Sequence, residues 1–226
     1  MFDHDGSSLA GQAYAHIRSR LISGTWPPGG RLVTRRIAGD LGVSLNPVRE
    51  ALFRLAAEGL VDHVPGAGAF VPSLDEEEVG ELYEFREAIE PFAARKAARS
   101  IRSSELAVLA EVCDRQLEFA RSLRSAPNLT GDALDAWLAC EERFHEILIR
   151  AARNRFLDAA LERSRVLTRL FGAHRDLGVA VDLSAAARTW RSHRRIVAAL
   201  ARGDGDAAAR HVHVALTAGA RMALGS

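Results

Sequence analysis

The first part of the chain carries apolar residues at helical spacing, separated by short breaks rich in glycine and proline. A first set recurs every four positions and predicts a helix that ends at Gly24. These residues are Leu9, Ala13, Ile17 and Leu21. The next segment, "TWPPGGRL", contains paired prolines and paired glycines, which predict a tight turn.

Two short amphipathic helices follow, and they are joined by the three residues "GVS". The second helix begins at Ser44, a residue type that caps helices, and stops at Gly59. The apolar positions are Ile37, Ala38 and Leu41 in the first helix and Val48, Leu52 and Leu55 in the second. Gly42 permits a sharp bend, and Val43 fills the angle between the two helices. The pattern predicts a helix-turn-helix.

After Gly59 the pattern changes from helical to extended. Two short runs of β type, "LVDHV" and "AFVPS", flank the turn "PGAG" and predict a hairpin. A helix-turn-helix followed directly by a hairpin is a winged helix-turn-helix. The sequence therefore predicts a DNA-binding domain over residues 9–72.

The start of the second short helix is polar where a purely structural helix would carry core residues. Ser44, Asn46 and Arg49 lie off the apolar face, where short caps and an arginine fork suit base edges and phosphates in the major groove. Arg35 is expected to reach the DNA backbone or a base, and Gly66 to let the hairpin approach a phosphate or the minor groove. Taken alone, such a helix start could be merely a cap; the order of the elements favours DNA binding.

From residue 75 to residue 222 the pattern is helical throughout. Breaks such as "SAPNLTG" and "GDGD" divide this region into about six helices, which predicts an antiparallel all-α bundle. The expected fold class is therefore mainly α, with the winged helix-turn-helix before a helical domain over residues 75–222.

Composition adds little about partners but restricts the class of protein. The formal net charge is +1, and seven arginines against four acidic residues give residues 9–72 a modest +3. No apolar run is long enough to span a membrane, and the acidic start does not resemble a secretory signal. Cys113 and Cys140 lie within helical patterns and are expected to be buried, reduced thiols. We expect a cytoplasmic location.

Residues 22–71 resemble the winged helix of GntR-type bacterial transcription regulators. The matching elements are "PPG.RL", "LGVS..PVREAL.RL..EGL" and "G.FV". Two features depart from the family pattern. Leu45-Asn46 stands where Arg-Thr is usual, which removes one expected base contact, and Val33-Thr34 and Arg36 replace the usual Ser-Glu and Glu. The operator sequence of relatives therefore does not carry over to this chain.

The helical region resembles the effector domain of the FadR branch of that family, of the type called FCD, and about six helices place it nearer the VanR-like subgroup. "LYEFREAIEPFAARKAA", "FHEILIRAARN" and "SHRRIVAALARGD" carry the likeness. Glu141 and His145 are four residues apart and share one helix face. The resemblance implies that these two and His193 are ligands of a divalent metal such as Zn, Ni or Mn, which helps to hold a small carboxylate effector. Ala215 stands where a fourth ligand is usual, and His211, one turn earlier, could partly compensate. The alternative is a pocket without metal.

Two further residues are candidates for effector binding. Arg86 could hold a substrate carboxylate, or it could form an ion pair with Glu90 at i+4. Asn154 matches a family position, although a left-handed cap at a helix end would explain it equally well.

Together these features predict a ligand-responsive transcription regulator, not an enzyme. We expect a repressor that binds an operator in double-stranded DNA as a homodimer and binds an organic acid in its helical domain. Two alternatives are a metal-dependent enzyme and a protein-interaction module carrying a winged helix. The sequence contains no G-x-S-x-G, P-loop, dinucleotide-binding or H-E-x-x-H motif to support an enzyme.

Overall fold

The computed structural model describes residues 8–173 and 181–224. Within those residues the chain forms nine α-helices and three short β-strands. In chain order they are α1 (Leu9–Ile22), β1 (Arg31–Leu32), α2 (Thr34–Leu41), α3 (Leu45–Ala57), β2 (Asp62–Val64), β3 (Gly68–Phe70), α4 (Glu76–Ala97), α5 (Ser103–Ser122), α6 (Gly131–Ala151), α7 (Arg155–Ala173), α8 (Leu183–Ala201) and α9 (Gly205–Leu224). The described residues divide into two compact units at Asp75 and Glu76, and the last turns of α7, from Arg165, are grouped with the first unit.

The first unit contains the predicted helix-turn-helix. α1 packs on α3, α2 packs on α3, and the apolar faces of all three helices are buried. α2 ends at Gly42, whose φ of 66° lies in the left-handed region that favours glycine. The Val43 N–H donates to the carbonyl of Ala38 at 3.0 Å and closes the turn before α3 begins.

The predicted hairpin is present, and it belongs to a larger sheet than the sequence indicated. β2 and β3 pair in antiparallel register, with His63 opposite Ala69, and form the wing. On its other edge β3 pairs with β1, where Leu32 lies opposite Ala69. Sequence analysis interpreted this stretch only as a turn. A strand of two residues is too short to show the alternation of apolar and polar positions that identifies strands in a sequence. Only its pairing with β3 defines Arg31–Leu32 as a strand.

The second unit is the predicted helical bundle, and its described residues contain six helices and no strand. α4 packs on α9 and on α6, and α5 packs on α6 and α8. The core is formed mainly by alanine, leucine and isoleucine, and Phe144 is its largest fully buried side chain. Cys113 and Cys140 are buried free thiols, as expected. None of the described helices is long and apolar enough to cross a membrane. The predicted fold class is confirmed.

The turn of the helix-turn-helix provides a test of the fold. Gly42→Ala should lower the free energy of unfolding by about 1–2 kcal/mol, because a β-carbon is disfavoured at positive φ. Gly39→Ala, three residues earlier inside α2, is the matched control. A β-carbon added at Gly39 has no heavy atom within 4 Å, so this substitution should stabilise the helix by about 0.5–1 kcal/mol. Thermal melting followed by circular dichroism measures both, and equal shifts of the two variants would contradict this account of the turn.

Candidate DNA interface and candidate metal centre

The polar start of α3 is exposed, whereas the rest of the helix is built into the core. Ser44, Asn46 and Arg49 are all exposed, while Val48 and Leu52 beside them are buried. Ser44 occupies the N-cap position of α3, but its side chain makes no capping hydrogen bond. Sequence analysis expected the Ser44 hydroxyl to cap the helix, but the fold does not use it as a cap.

The other predicted DNA contacts also lie on the surface of the first unit. Arg35 is exposed on α2, and Gly66 is exposed at the turn of the wing with a φ of 76°. Sequence analysis missed Arg31 on β1. Its guanidinium lies 3.7 Å from the position that a β-carbon at Gly68 would occupy, so it adds a cation to the wing. The missed strand β1 explains this omission, because only the pairing of β1 with β3 brings Arg31 to the wing.

The predicted metal ligands meet inside the helical unit. Glu141 and His145 on α6 and His193 on α8 each offer one ligand atom, and these atoms all lie within 4.8 Å of one another. The side chain of His193 is buried, and those of Glu141 and His145 are partly buried. His211 is not part of this cluster. It lies in the field of Arg195, Arg202, Arg210 and Asp204, and it does not compensate for Ala215.

A buried carboxylate forms a hydrogen bond with the Nδ1 of His145. Glu90 on α4 has no solvent exposure, and its Oε2 lies 3.0 Å from the Nδ1 of His145. Its other oxygen accepts a hydrogen bond from the Nε of Arg86 at 2.6 Å. Burial opposes the charge of Glu90, but Arg86 and His145 outweigh it and lower the pKa of this carboxyl to about 2. An ionised carboxylate can only accept, so the Nδ1 of His145 donates to Glu90, and Nε2 is the ring nitrogen that this hydrogen bond does not use.

A buried amide supports the other side of the cluster. Gln116 on α5 has no solvent exposure; its amide nitrogen donates to Glu141, and its oxygen lies 3.0 Å from the Nδ1 of His193. Phe144 stacks on the ring of His193 with centroids 3.7 Å apart and planes within 1° of parallel. The cluster is therefore held by side chains from four helices, α4, α5, α6 and α8.

Burial also sets the charge state of the proposed ligands. It raises the pKa of Glu141 to about 7, against the opposing effects of His145, Arg86 and the hydrogen bond from Gln116. It lowers the pKa of His193 well below the usual range, and the neighbouring His145 lowers it further. A neutral imidazole is the form that coordinates a metal, and a dication would favour the ionised form of Glu141. The chemistry of the donor set therefore fits a divalent metal.

The two predicted effector residues make internal contacts. Arg86 is buried and forms the ion pair with Glu90 that sequence analysis held as the alternative to an effector arm. Asn154 is not a left-handed cap at the end of α6, because the residue with positive φ is Arg153. Instead, the Oδ1 of Asn154 accepts from the backbone N–H of Phe156 at 3.1 Å and caps the start of α7. Effector binding by these two residues stays a prediction.

Sequence analysis missed the two residues behind the cluster. It mentioned Glu90 only as a partner of Arg86, and it did not mention Gln116. A signal for Gln116 existed: it is the polar member of an otherwise apolar face that includes Leu109, Cys113 and Ala120. A buried amide must find hydrogen-bond partners, so its position on that face indicated a polar contact in the core.

Each of the two units matches the model of a known protein family. Residues 9–71 match the model of the bacterial regulatory proteins of the gntR family, and residues 81–218 match that of the FCD domain. Over 151 residues the chain is 34% identical to an uncharacterized HTH-type transcriptional regulator in the TAR-I ttuE-ttuC' intergenic region of Agrobacterium vitis, covering 66% of this chain and 85% of that protein. Over 200 residues it is 28% identical to the HTH-type transcriptional repressor RspR of Escherichia coli, covering 88% of this chain and 82% of that protein.

Among solved structures, McbR/YncC of Escherichia coli superposes with a TM-score of 0.77 at 23% identity, covering 94% of this chain and 95% of that one. This likeness shows a shared fold. Members of the family are DNA-binding transcription regulators, not enzymes, and their FCD domain binds effector ligands. The chain belongs to the GntR family of bacterial transcription regulators, with an N-terminal winged helix-turn-helix followed by an FCD domain.

Proposed function

We propose that this regulator is a homodimeric repressor whose helical domain holds a divalent metal and, through it, a small organic acid. The observation that carries the proposal is the buried cluster of Glu141, His145 and His193, in which each histidine has its Nδ1 occupied by a protein partner. Metal-binding histidines generally donate their second ring N–H to such a partner. Both histidines of the cluster therefore have the hydrogen-bond partner at Nδ1 that is typical of metal-binding histidines.

The DNA part of the proposal assigns base reading to Asn46 and Arg49 on α3. Ser44 and Arg35 would contact the DNA backbone, and Gly66 together with Arg31 would bring the wing to a phosphate. All of these residues are exposed, which supports the assignment.

The effector part follows from the charge of the site. A dication held by the neutral histidines and the Glu141 carboxylate has a net charge of about +1, because Arg86 and Glu90 neutralise each other. With three protein ligands, coordination positions remain for a further ligand, and an anionic oxygen suits both the charge and the metal. A small carboxylate is therefore the proposed effector, with Zn, Ni or Mn as the candidate metals.

Repression and dimerisation rest on separate observations. The relative RspR is named a repressor, and it aligns with most of this chain. Phe85 and Phe92 lie two turns apart on α4 and are both exposed, which supports a second copy covering this face. A two-fold dimer would present two α3 helices to an inverted repeat. Binding of the effector would then shift operator affinity by linkage between the two sites.

Replacing Arg49 tests the DNA assignment. Arg49→Ala should weaken binding to DNA from its own promoter by about 1–3 kcal/mol, because it removes a side chain assigned to a base edge. Arg99→Ala removes an exposed arginine from the second unit and is the matched control, with no expected effect. Gel-shift titration with competitor DNA at two salt concentrations measures both, and unchanged operator affinity of Arg49→Ala would show that another element reads the bases.

Elemental analysis of the purified protein tests the metal. The wild type should contain about one equivalent of a divalent metal, and His145→Ala should lose it, because two ligands cannot hold the ion against a chelator. His213→Ala, an exposed histidine on α9 outside the cluster, should keep it. A wild type that remains free of metal after incubation with Zn, Ni and Mn salts would refute the assignment.

Thermal melting tests the effector class. Lactate, malate and gluconate serve as probes, and lactamide is the uncharged match to lactate. A carboxylate that binds should raise the melting temperature of the metal-loaded protein, since ligand at 100 times its Kd adds about 2.7 kcal/mol. The shift should be lost in His145→Ala. Equal shifts with lactate and lactamide, or shifts that persist without metal, would exclude recognition of the carboxylate through the metal.

A further inference from the structure

Gln116 is a fully buried polar residue whose role is not explained by the packing of α5. It has no solvent exposure, and its neighbours on the same helix face are Leu109, Cys113 and Ala120. An amide in such a position costs free energy unless its hydrogen-bonding groups find partners. Both polar atoms of Gln116 find them, and both partners belong to the metal cluster.

The direction of these hydrogen bonds follows from the chemistry of the groups. The amide nitrogen faces an oxygen of Glu141, and the nitrogen of an amide can only donate. The amide oxygen therefore faces the Nδ1 of His193, at 3.0 Å, and it can only accept. The Nδ1 of His193 must then carry the proton. The Nε2 of His193 keeps its lone pair, and that is the atom through which this ring can coordinate.

The ring of His193 is also fixed in its plane. Phe144 stacks on it with centroids 3.7 Å apart, so the imidazole does not tilt without losing this contact. Together, Phe144 sets the plane of the ring and Gln116 sets its direction within the plane. The two residues lie on different helices, α6 and α5, and His193 lies on a third.

We propose that Gln116 is the positioning residue of the metal centre: it selects the tautomer of His193 and holds Glu141 beside it, so that both present their ligand atoms to one ion. This inference rests on the proposed metal site. It assigns a role to Gln116, which is not one of the proposed ligands, and it explains why the side chain at this position is an amide. A glutamate at position 116 would place a second carboxylate against Glu141, whereas the amide satisfies both neighbours without adding charge.

The two histidines are thereby supported by different chemistry. His145 donates to the ionised carboxylate of Glu90, which is neutralised by Arg86, whereas His193 donates to a neutral amide. The first arrangement adds a buried ion pair, and the second adds no charge at all. The site thus orients two imidazoles while Glu141 is the one carboxylate of the ligand set.

The experiment compares Gln116→Leu with the wild type and uses Co(II) as the probe. Co(II) affinity is measured by chelator competition and by the visible absorption of the bound ion. Long-range ¹H–¹⁵N spectra of the metal-free protein report the tautomer of His193, which is assigned with a His193→Gln variant. Gln116→Leu should bind Co(II) about 10–100-fold more weakly, and its His193 should lose the single Nδ1–H tautomer.

Two variants serve as controls. Glu118→Leu places leucine at an exposed position of the same helix and should leave both readouts unchanged. Gln116→Glu retains an acceptor for the Nδ1 of His193, so the Nδ1–H tautomer should be kept although the amide is lost. If the leucine variant melts well below the wild type, Gln116→Met repeats the measurement with an unbranched side chain.

Three outcomes would overturn the proposal. A wild type that binds Co(II), together with a Gln116→Leu variant that binds it within about twofold, would refute only the role of Gln116. An Nε2–H tautomer of His193 in the metal-free wild type would contradict the hydrogen-bond direction on which the role depends. A wild type that binds neither Co(II) nor Zn(II) would refute the proposed metal site itself, and the inference with it.

Discussion

The helical domain depends on keeping one buried carboxylate charged. Glu90 is shielded from solvent, and burial by itself would favour its neutral form, yet Arg86 and His145 hold it ionised. A buried charge that lost its partners would cost several kcal/mol, so the spacing between α4 and α6 has little freedom. Arg86 and Glu90 are neighbours on one helix, and His145 comes from another. The pairing ties α4 to the face of α6 on which Glu141 and His145 lie.

The cluster that contains His145 is assembled from four helices. α4 supplies the buried carboxylate, α5 the amide, α6 two of the proposed ligands and a stacking ring, and α8 the third proposed ligand. A ligand bound at the centre would therefore contact groups whose partners extend across four helices. A site of this kind links a small local change to the packing of a whole domain, because polar networks in a core are either fully satisfied or costly.

Sequence patterns revealed what lies within one helix, whereas the grouping of His193 with Glu141 and His145 came from the family resemblance, and the other contacts between helices were missed. Glu141 and His145 were identifiable because they are four residues apart, and the exposed start of α3 because its polar residues interrupt an apolar pattern. The pairing of His145 with Glu90 joins residues 55 positions apart, and no periodicity records it. Arg86 illustrates the same limit: the sequence is compatible with an effector arm and with an ion pair, and the structure shows the ion pair with Glu90, while effector binding by Arg86 stays a prediction.

The uncapped start of α3 has a consequence for how this regulator can change. Because Ser44 makes no capping hydrogen bond, the first backbone N–H groups of the helix do not donate to that side chain, and in the proposed complex they would be available to donate to a phosphate. Such an attraction would belong to the main chain and would be the same for every DNA sequence. If α3 reads the bases as proposed, mutations at Leu45 or Asn46 would alter which bases are preferred, while the attraction between the main chain and the phosphates would persist.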